Sequence, residues 1–192
     1  RIAWLASPPA ADLLTHFSDI DELIVWDRRP FDRAVAAGNI LAGLRFLREA
    51  KRLLAPHRFD IVLDVQDLFL TGILARLTGA RMRIGIRERS EGGGFFMTMK
   101  APRTEEPHKV RRYLSVLAPL GLAHDDTRIT LDLPQELAGF ASSFWARHGI
   151  DAQRPILLVS LRTTWKSKEW PPENFAAALR EVPEDVQIVF SG

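Results

Sequence analysis

Between residues 160 and 175 the chain reads Ser160-Leu161-Arg162-Thr163-Thr164-Trp165-Lys166-Ser167-Lys168-Glu169-Trp170-Pro171-Pro172-Glu173-Asn174-Phe175. The apolar run before it, residues 155–160, predicts a buried strand, and the proline pair predicts the start of a helix. Two hydroxyls, Thr163 and Thr164, and two ammonium groups, Lys166 and Lys168, therefore stand between a strand's carboxyl end and a helix's amino end. Open α/β sheets hold their ligands there. A helix dipole, hydroxyl donors and a point charge together suit a phosphate group. The same residues also suit an ordinary strand-to-helix loop, with Ser167 as its cap and two solvated lysines.

Other residues offer less specific chemistry. Gln66 and Asp67 end the apolar run 59–65, and stand either at a ligand cleft or at a turn where Asp67 caps the next helix. His108 and Arg111 share one helix face at i, i+3, and read from spacing as a solvated helix start. Arg81, Arg83, Arg87 and Arg89 form a local basic run, suited to an anionic ligand, to membrane headgroups or to a solvated face. Trp4, Trp26, Trp145, Trp165 and Trp170 read as core or edge packing, although Trp165 lies in the loop described above. The five histidines have no carboxylate partner at metal spacing, so no metal site and no cofactor are expected. Without cysteine there are no disulfides, thiol nucleophiles or thiolate-bound metals.

The elements that must position these residues alternate. Strands are expected at residues 2–7, 22–26, 59–65, 82–86, 127–133, 155–160 and 186–190. Helices are expected at 10–17, 34–54, 68–77, 107–117, 134–149 and 171–181. Residues 87–104, which include Gly92-Gly93-Gly94, have no period and read as a mobile loop. Such alternation predicts an α/β protein with doubly wound parallel sheets covered by helices on both faces. A first domain at 1–149 and the start of a second at 150–192 are expected, with the linker in the 127–149 region. Both ends read as cut: the first domain lacks an opening βα unit, and the second has barely begun.

Composition narrows the partners. Hydrophobic residues at 46% and charged residues at 26% exclude disordered and collagen-like classes. No apolar run reaches the ~18 residues of a spanning helix. The net charge is only +2 although the pI is about 9.3. With one tyrosine and five lysines, little titrates between neutrality and pH 10, so a small arginine excess holds the pI high. The basic residues are interspersed with nearly as many acids, and nucleic acid is not an expected partner.

The 160–175 segment resembles the family 9 glycosyltransferases, the heptosyltransferases of bacterial lipopolysaccharide assembly. Their Lys-x-Trp-Pro step reads here as Lys168-Glu169-Trp170-Pro171, preceded by Thr163-Thr164 and followed by Asn174-Phe175. Upstream, Asp64-Val65-Gln66-Asp67-Leu68 is similar to the family's Asp-x-Gln-Gly-Leu strand end, with Asp67 in place of the glycine. Gly79-Ala80-Arg81, Arg83-Ile84-Gly85, His108, Arg111 and Leu120-Gly121 follow in the family's order, so the likeness spans essentially the whole chain.

This resemblance implies a GT-B architecture, two Rossmann-like domains facing across a cleft, with acceptor on the first and nucleotide-sugar on the second. It implies an inverting, metal-independent transfer of a heptose, from ADP-heptose, to the lipopolysaccharide inner core at the cytoplasmic membrane's inner face. Lys168 would stabilise the departing diphosphate, helped by Thr163 and Thr164. Gln66, Asp67, His108 and Arg111 would lie on the acceptor side, which takes an anionic lipid-linked saccharide. The family's catalytic base belongs to the opening βα unit, so these residues alone are expected to be inactive. The alternative is a non-catalytic nucleotide- or glycan-binding Rossmann-like module.

Overall fold

β1 (Ala3–Ala6) and β2 (Glu22–Val25) pair in parallel around helix α1 (Pro8–Leu14), whose first turn accepts Pro8 and Pro9 without losing a needed N–H donor. The computed structural model describes residues 1–87, 91–122, 126–132, 134–163 and 166–191. Next come α2 (Arg29–Ala36), α3 (Ile40–Leu54), β3 (Ile61–Asp64), α4 (Phe69–Leu77), β4 (Met82–Gly85) and β5 (Met99–Lys100). Strands β3, β4 and β5 form a second parallel sheet, with Asp64 opposite Gly85 and Gly85 opposite Lys100. After α5 (Lys109–Leu114) and a 3₁₀ segment (Ser115–Leu120) the chain forms α6 (Gln135–Arg147), β6 (Ile156–Ser160), α7 (Pro172–Arg180) and β7 (Gln187–Ser191). β6 and β7 again pair in parallel.

Every described strand pair is parallel; helices cross over between β1 and β2, β3 and β4, and β6 and β7, and the segment with the Gly93–Phe96 3₁₀ turn connects β4 to β5. The chain packs into two compact units, Arg1–Asp132 and Leu133–Gly192. That division falls inside the stretch read as the linker region and places α6 with the second unit. In the first unit Ile24 of β2, Ala50 and Leu54 of α3, and Leu70 and Leu74 of α4 make one core cluster. Ile84, Ile86, Ala101 and Val116 make another, under α5 and the 3₁₀ segment. In the second unit Val159 of β6 is buried, between the exposed Leu158 and Ser160.

Three expectations are corrected. The single helix expected over 34–54 is two helices, because Gly38 takes a left-handed φ of 65° and Asn39 caps α3, accepting the Ala42 N–H at 3.0 Å. The stretch expected to be a mobile loop is built where it is described: Gly93–Phe96 form a 3₁₀ turn, and β5 extends the sheet beside β4. Residues 126–132 form no strand, since their alternation has no neighbouring strand to pair with. Asp132 is instead tied to the end of α1, its N–H donating to the His16 carbonyl at 3.2 Å and its carboxylate accepting Ser18 Oγ at 2.9 Å.

Candidate functional site

The carboxyl ends of β3 and β4 carry the first unit's candidate residues. Asp64, the last residue of β3, is buried. Its Oδ1 accepts the Gln66 N–H at 3.0 Å and its Oδ2 accepts the Thr71 hydroxyl at 2.9 Å. Burial raises its pKa above the ordinary aspartate value of 3.8, against the pull of these hydrogen bonds. The Leu68 N–H donates to Thr71 Oγ1 at 3.2 Å, so the Asp64–Thr71 pair also fixes the start of α4.

Asp67 takes a left-handed φ of 54° at the position where the motif resembled in the sequence carries glycine. Aspartate is among the few non-glycine residues enriched in this region. Its side chain is buried, and Oδ1 accepts the Gly94 N–H at 3.0 Å. The residue capping α4 is Leu68, so Asp67 is not the helix cap; it anchors the turn to the glycine-rich segment. A Cβ on Gly93 would stand 2.4 Å from the Leu68 carbonyl oxygen, so only glycine lets the two turns meet. Gln66 is exposed beside this knot.

The basic run separates on folding. Arg83 Nε donates to the Phe96 carbonyl at 2.7 Å, holding the segment after the glycines against β4. Arg81 is exposed, and Arg89 lies outside the described residues. Arg87 lines a cavity of about 250 Å³ with Arg103, Thr104, Arg112 and Ser115, floored by Ile86 at the end of β4. Three guanidiniums and two hydroxyls against one carboxylate, Glu105, make this cavity cationic. His108 and Arg111 are not part of it. His108 is the exposed N-cap of α5, and Arg111 reaches Glu106 at 3.8 Å. Starting α5 at Lys109 turns Arg112 and Ser115 inward and Arg111 outward. Sequence reasoning missed Arg103 and Arg112, and the signal available was the i, i+3, i+4 pattern of Arg112, Ser115 and Val116.

In the second unit the 160–175 loop stands where the sequence expects it. β6 ends at Ser160, Thr163 is half-buried, and Lys166–Lys168 form a single 3₁₀ turn before α7. Thr164 and Trp165 lie outside the described residues. Lys166 and Lys168 are exposed, and neither forms an ion pair among the described residues. Pro171 occupies the N-cap of α7 and no side chain caps the helix, so Ser167 does not act as the cap. Trp170 and Phe175 pack in a T-shape at 4.7 Å between centroids, tying the loop to the first turn of α7. The result is a cationic loop beside the positive end of the α7 dipole, where Pro171 and Pro172 carry no N–H and the Asn174 and Phe175 N–H groups donate to the Pro171 carbonyl. Among the described residues no group of three His, Asp or Glu side chains is arranged to hold a metal ion.

Parallel strands handing over to helices, with cationic loops at their carboxyl ends, define a Rossmann-like α/β protein of two units. The chain belongs to glycosyltransferase family 9 (heptosyltransferase), whose family model matches residues 47–192. It is 23% identical over 178 residues to the lipopolysaccharide core heptosyltransferase OpsX of Haemophilus influenzae, covering 92% of this chain and 46% of that protein. It superposes on a family 9 glycosyl transferase from Veillonella parvula with a TM-score of 0.73 at 23% identity, covering 99% of this chain and 53% of the other. The heptosyltransferase WaaC of E. coli, solved with ADP-2-deoxy-2-fluoro heptose, aligns with a TM-score of 0.66 at 18% identity, over 99% of this chain and 58% of that one. The chain thus spans about half the length of the relatives it matches. These likenesses establish the fold as GT-B type.

Proposed function

We propose that the chain forms part of an inverting, metal-independent glycosyltransferase that moves a heptose from ADP-heptose to the lipopolysaccharide inner core. Membership of family 9 over residues 47–192 carries this reading. It is supported by the loop in which Lys168 lies next to the uncapped first turn of α7. In the reaction an acceptor hydroxyl attacks the anomeric carbon, the bond from that carbon to the diphosphate oxygen breaks, and the configuration inverts. The hydroxyl proton passes to a base.

As the bond breaks, negative charge builds on the diphosphate. Lys168, the positive end of the α7 dipole and the hydroxyls of Thr163 and Thr164 are the groups this chain offers to it. On the first unit, Arg87, Arg103 and Arg112 give the anionic groups of a lipid-linked saccharide a cationic cavity. In this reading Asp64 is a positioning residue: both its oxygens are engaged in holding the β3–α4 turn. The natural place for such work is the cytoplasmic face of the inner membrane, where acceptor and donor meet.

The test is turnover of ADP-heptose by the intact enzyme carrying Lys168→Ala. Loss of a preorganised donor at a developing negative charge lowers turnover by ~10²–10³. Because Lys168 is exposed, the thermal midpoint stays within a degree or two, about what a neutral surface substitution gives. Turnover within twofold of the parent would remove Lys168 from the mechanism.

A further inference from the structure

The α2–α3 hairpin leaves an apolar tip in water. From Ala34 to Leu44 the sequence Ala-Val-Ala-Ala-Gly-Asn-Ile-Leu-Ala-Gly-Leu carries no charge, and Arg33 and Arg45 bound it. Ile40 is 76% exposed and Leu41 80%, with Val35 at 59% and Leu44 at 45%. These are not the side chains that hold the hairpin together. The core takes Ala50 and Leu54 from α3, with Leu47 and, from α2, Phe31 packed against it.

The charge around the tip is as uneven as its hydropathy. Residues 27–54 hold seven Lys or Arg against three Asp or Glu, a net +4 in a chain whose total is +2. All three acids are already engaged, Asp27 with Arg29, Asp32 with Arg28 and Glu49 with Arg45. Arg48, Lys51 and Arg52, one to two turns along α3, are exposed and make no ion pair among the described residues. An exposed apolar turn bordered by an excess of cations is the pattern of a helix that lies in a lipid interface.

We propose that this tip is a docking surface for an anionic phospholipid bilayer. Val35, Ile40, Leu41 and Leu44 enter the headgroup–acyl boundary, and Arg33, Arg48 and the cations further along α3 lie against lipid phosphates. Charge complementarity selects this occupant: a cationic border would repel a second copy of the same tip, whereas a negative surface attracts it. The surface would bring the first unit to a bilayer holding the lipid-linked acceptor, and so deepens the reading above. It is tested with lipid alone, so its failure and the failure of that reading are separate results.

The chain has no cysteine, so Leu41→Cys gives a unique site for a polarity-sensitive dye. Full chain labelled there is mixed with vesicles of phosphatidylglycerol and phosphatidylcholine, and with vesicles of phosphatidylcholine alone. The expected result is a blue shift with the anionic vesicles that is weak with the neutral ones and fades as salt rises. Dye at Gln153→Cys, in the second unit, does not shift. In vesicle sedimentation of unlabelled protein, Ile40→Asp with Leu41→Asp, and separately Arg48→Glu with Arg52→Glu, each lower the bound fraction's partition coefficient by about tenfold or more. Circular dichroism matching the parent shows that the variants fold. Four results would overturn the proposal: unchanged binding by the folded variants, no shift at position 41 with any vesicle, equal shifts on neutral and anionic lipid, or a shift that follows protein concentration without lipid. The last would mark a self-association surface instead.

Discussion

Asp64 concentrates the residue-scale argument, because one carboxylate closes the end of β3 and the start of α4 together. Its pKa is raised by burial, so the folded state holds its proton to a higher pH than the unfolded state does. The sign follows from linkage: the stability it contributes is fully present below the unfolded value near 3.8 and is lost as pH rises through the raised folded value. Asp64→Asn keeps an acceptor for the Gln66 N–H and cannot ionise. Denaturant unfolding from pH 3.5 to 7 should therefore show a shallower loss of stability with rising pH in the variant than in the parent. Parallel profiles would mean that burial does not govern this carboxyl. Asp67 teaches a related lesson. The sequence motif alone leaves the substitution of glycine by aspartate unexplained, and the φ of 54° together with the Gly94 N–H supplies the reason: the backbone conformation is kept and the side chain takes on a contact.

At the scale of elements, the glycine-rich turn shows what patterning can and cannot reveal. Gly92-Gly93-Gly94 reads as a break, yet Gly93 is the place where two backbone turns touch. Gly93→Ala forces a methyl onto the Leu68 carbonyl, at a cost of roughly 1–3 kcal/mol for overpacking. Gly139→Ala, inside α6 with open space around its Cβ position, instead gains a few tenths to about 1 kcal/mol from helix propensity. A lower denaturation midpoint for the first and a higher one for the second would confirm the contrast, and equal effects would refute it. The long elements were legible for simple reasons: β3 and β6 are apolar runs and α4 a helical period, each between clear breaks. β5 was not, because two paired residues leave no pattern. Neither was the apparent strand at 127–133, since alternation records side-chain polarity and not the presence of a partner strand. The position of the 160–175 loop between β6 and α7 was readable because its residues are contiguous in sequence. The Arg87–Arg103–Arg112 cavity draws on three segments, and only folding brings them together.

At the scale of the whole molecule, the two units are unequally built. The first has two buried clusters, whereas in the second Val159 is the buried apolar side chain among the described residues. Leu157, Leu158, Ile188 and Phe190, all on β6 and β7, remain substantially exposed. Backbone hydrogen bonds over so thin a core open with little cost, so in the 192-residue chain amide exchange should be slowest in β3 and β4 and fast in β6 and β7. A ligand held by the second unit adds its binding free energy to that unit's stability and to no other, about 2.7 kcal/mol at a hundred times its Kd. If the 160–175 loop takes the diphosphate of a nucleotide, saturating ADP should slow exchange at residues 156–160 and along α7 while leaving β3 and β4 as they were. Lys168→Ala should shrink that protection even where turnover cannot be measured. Uniform slowing across both units would place the nucleotide elsewhere, and no slowing at all would leave the loop an ordinary connection between strand and helix.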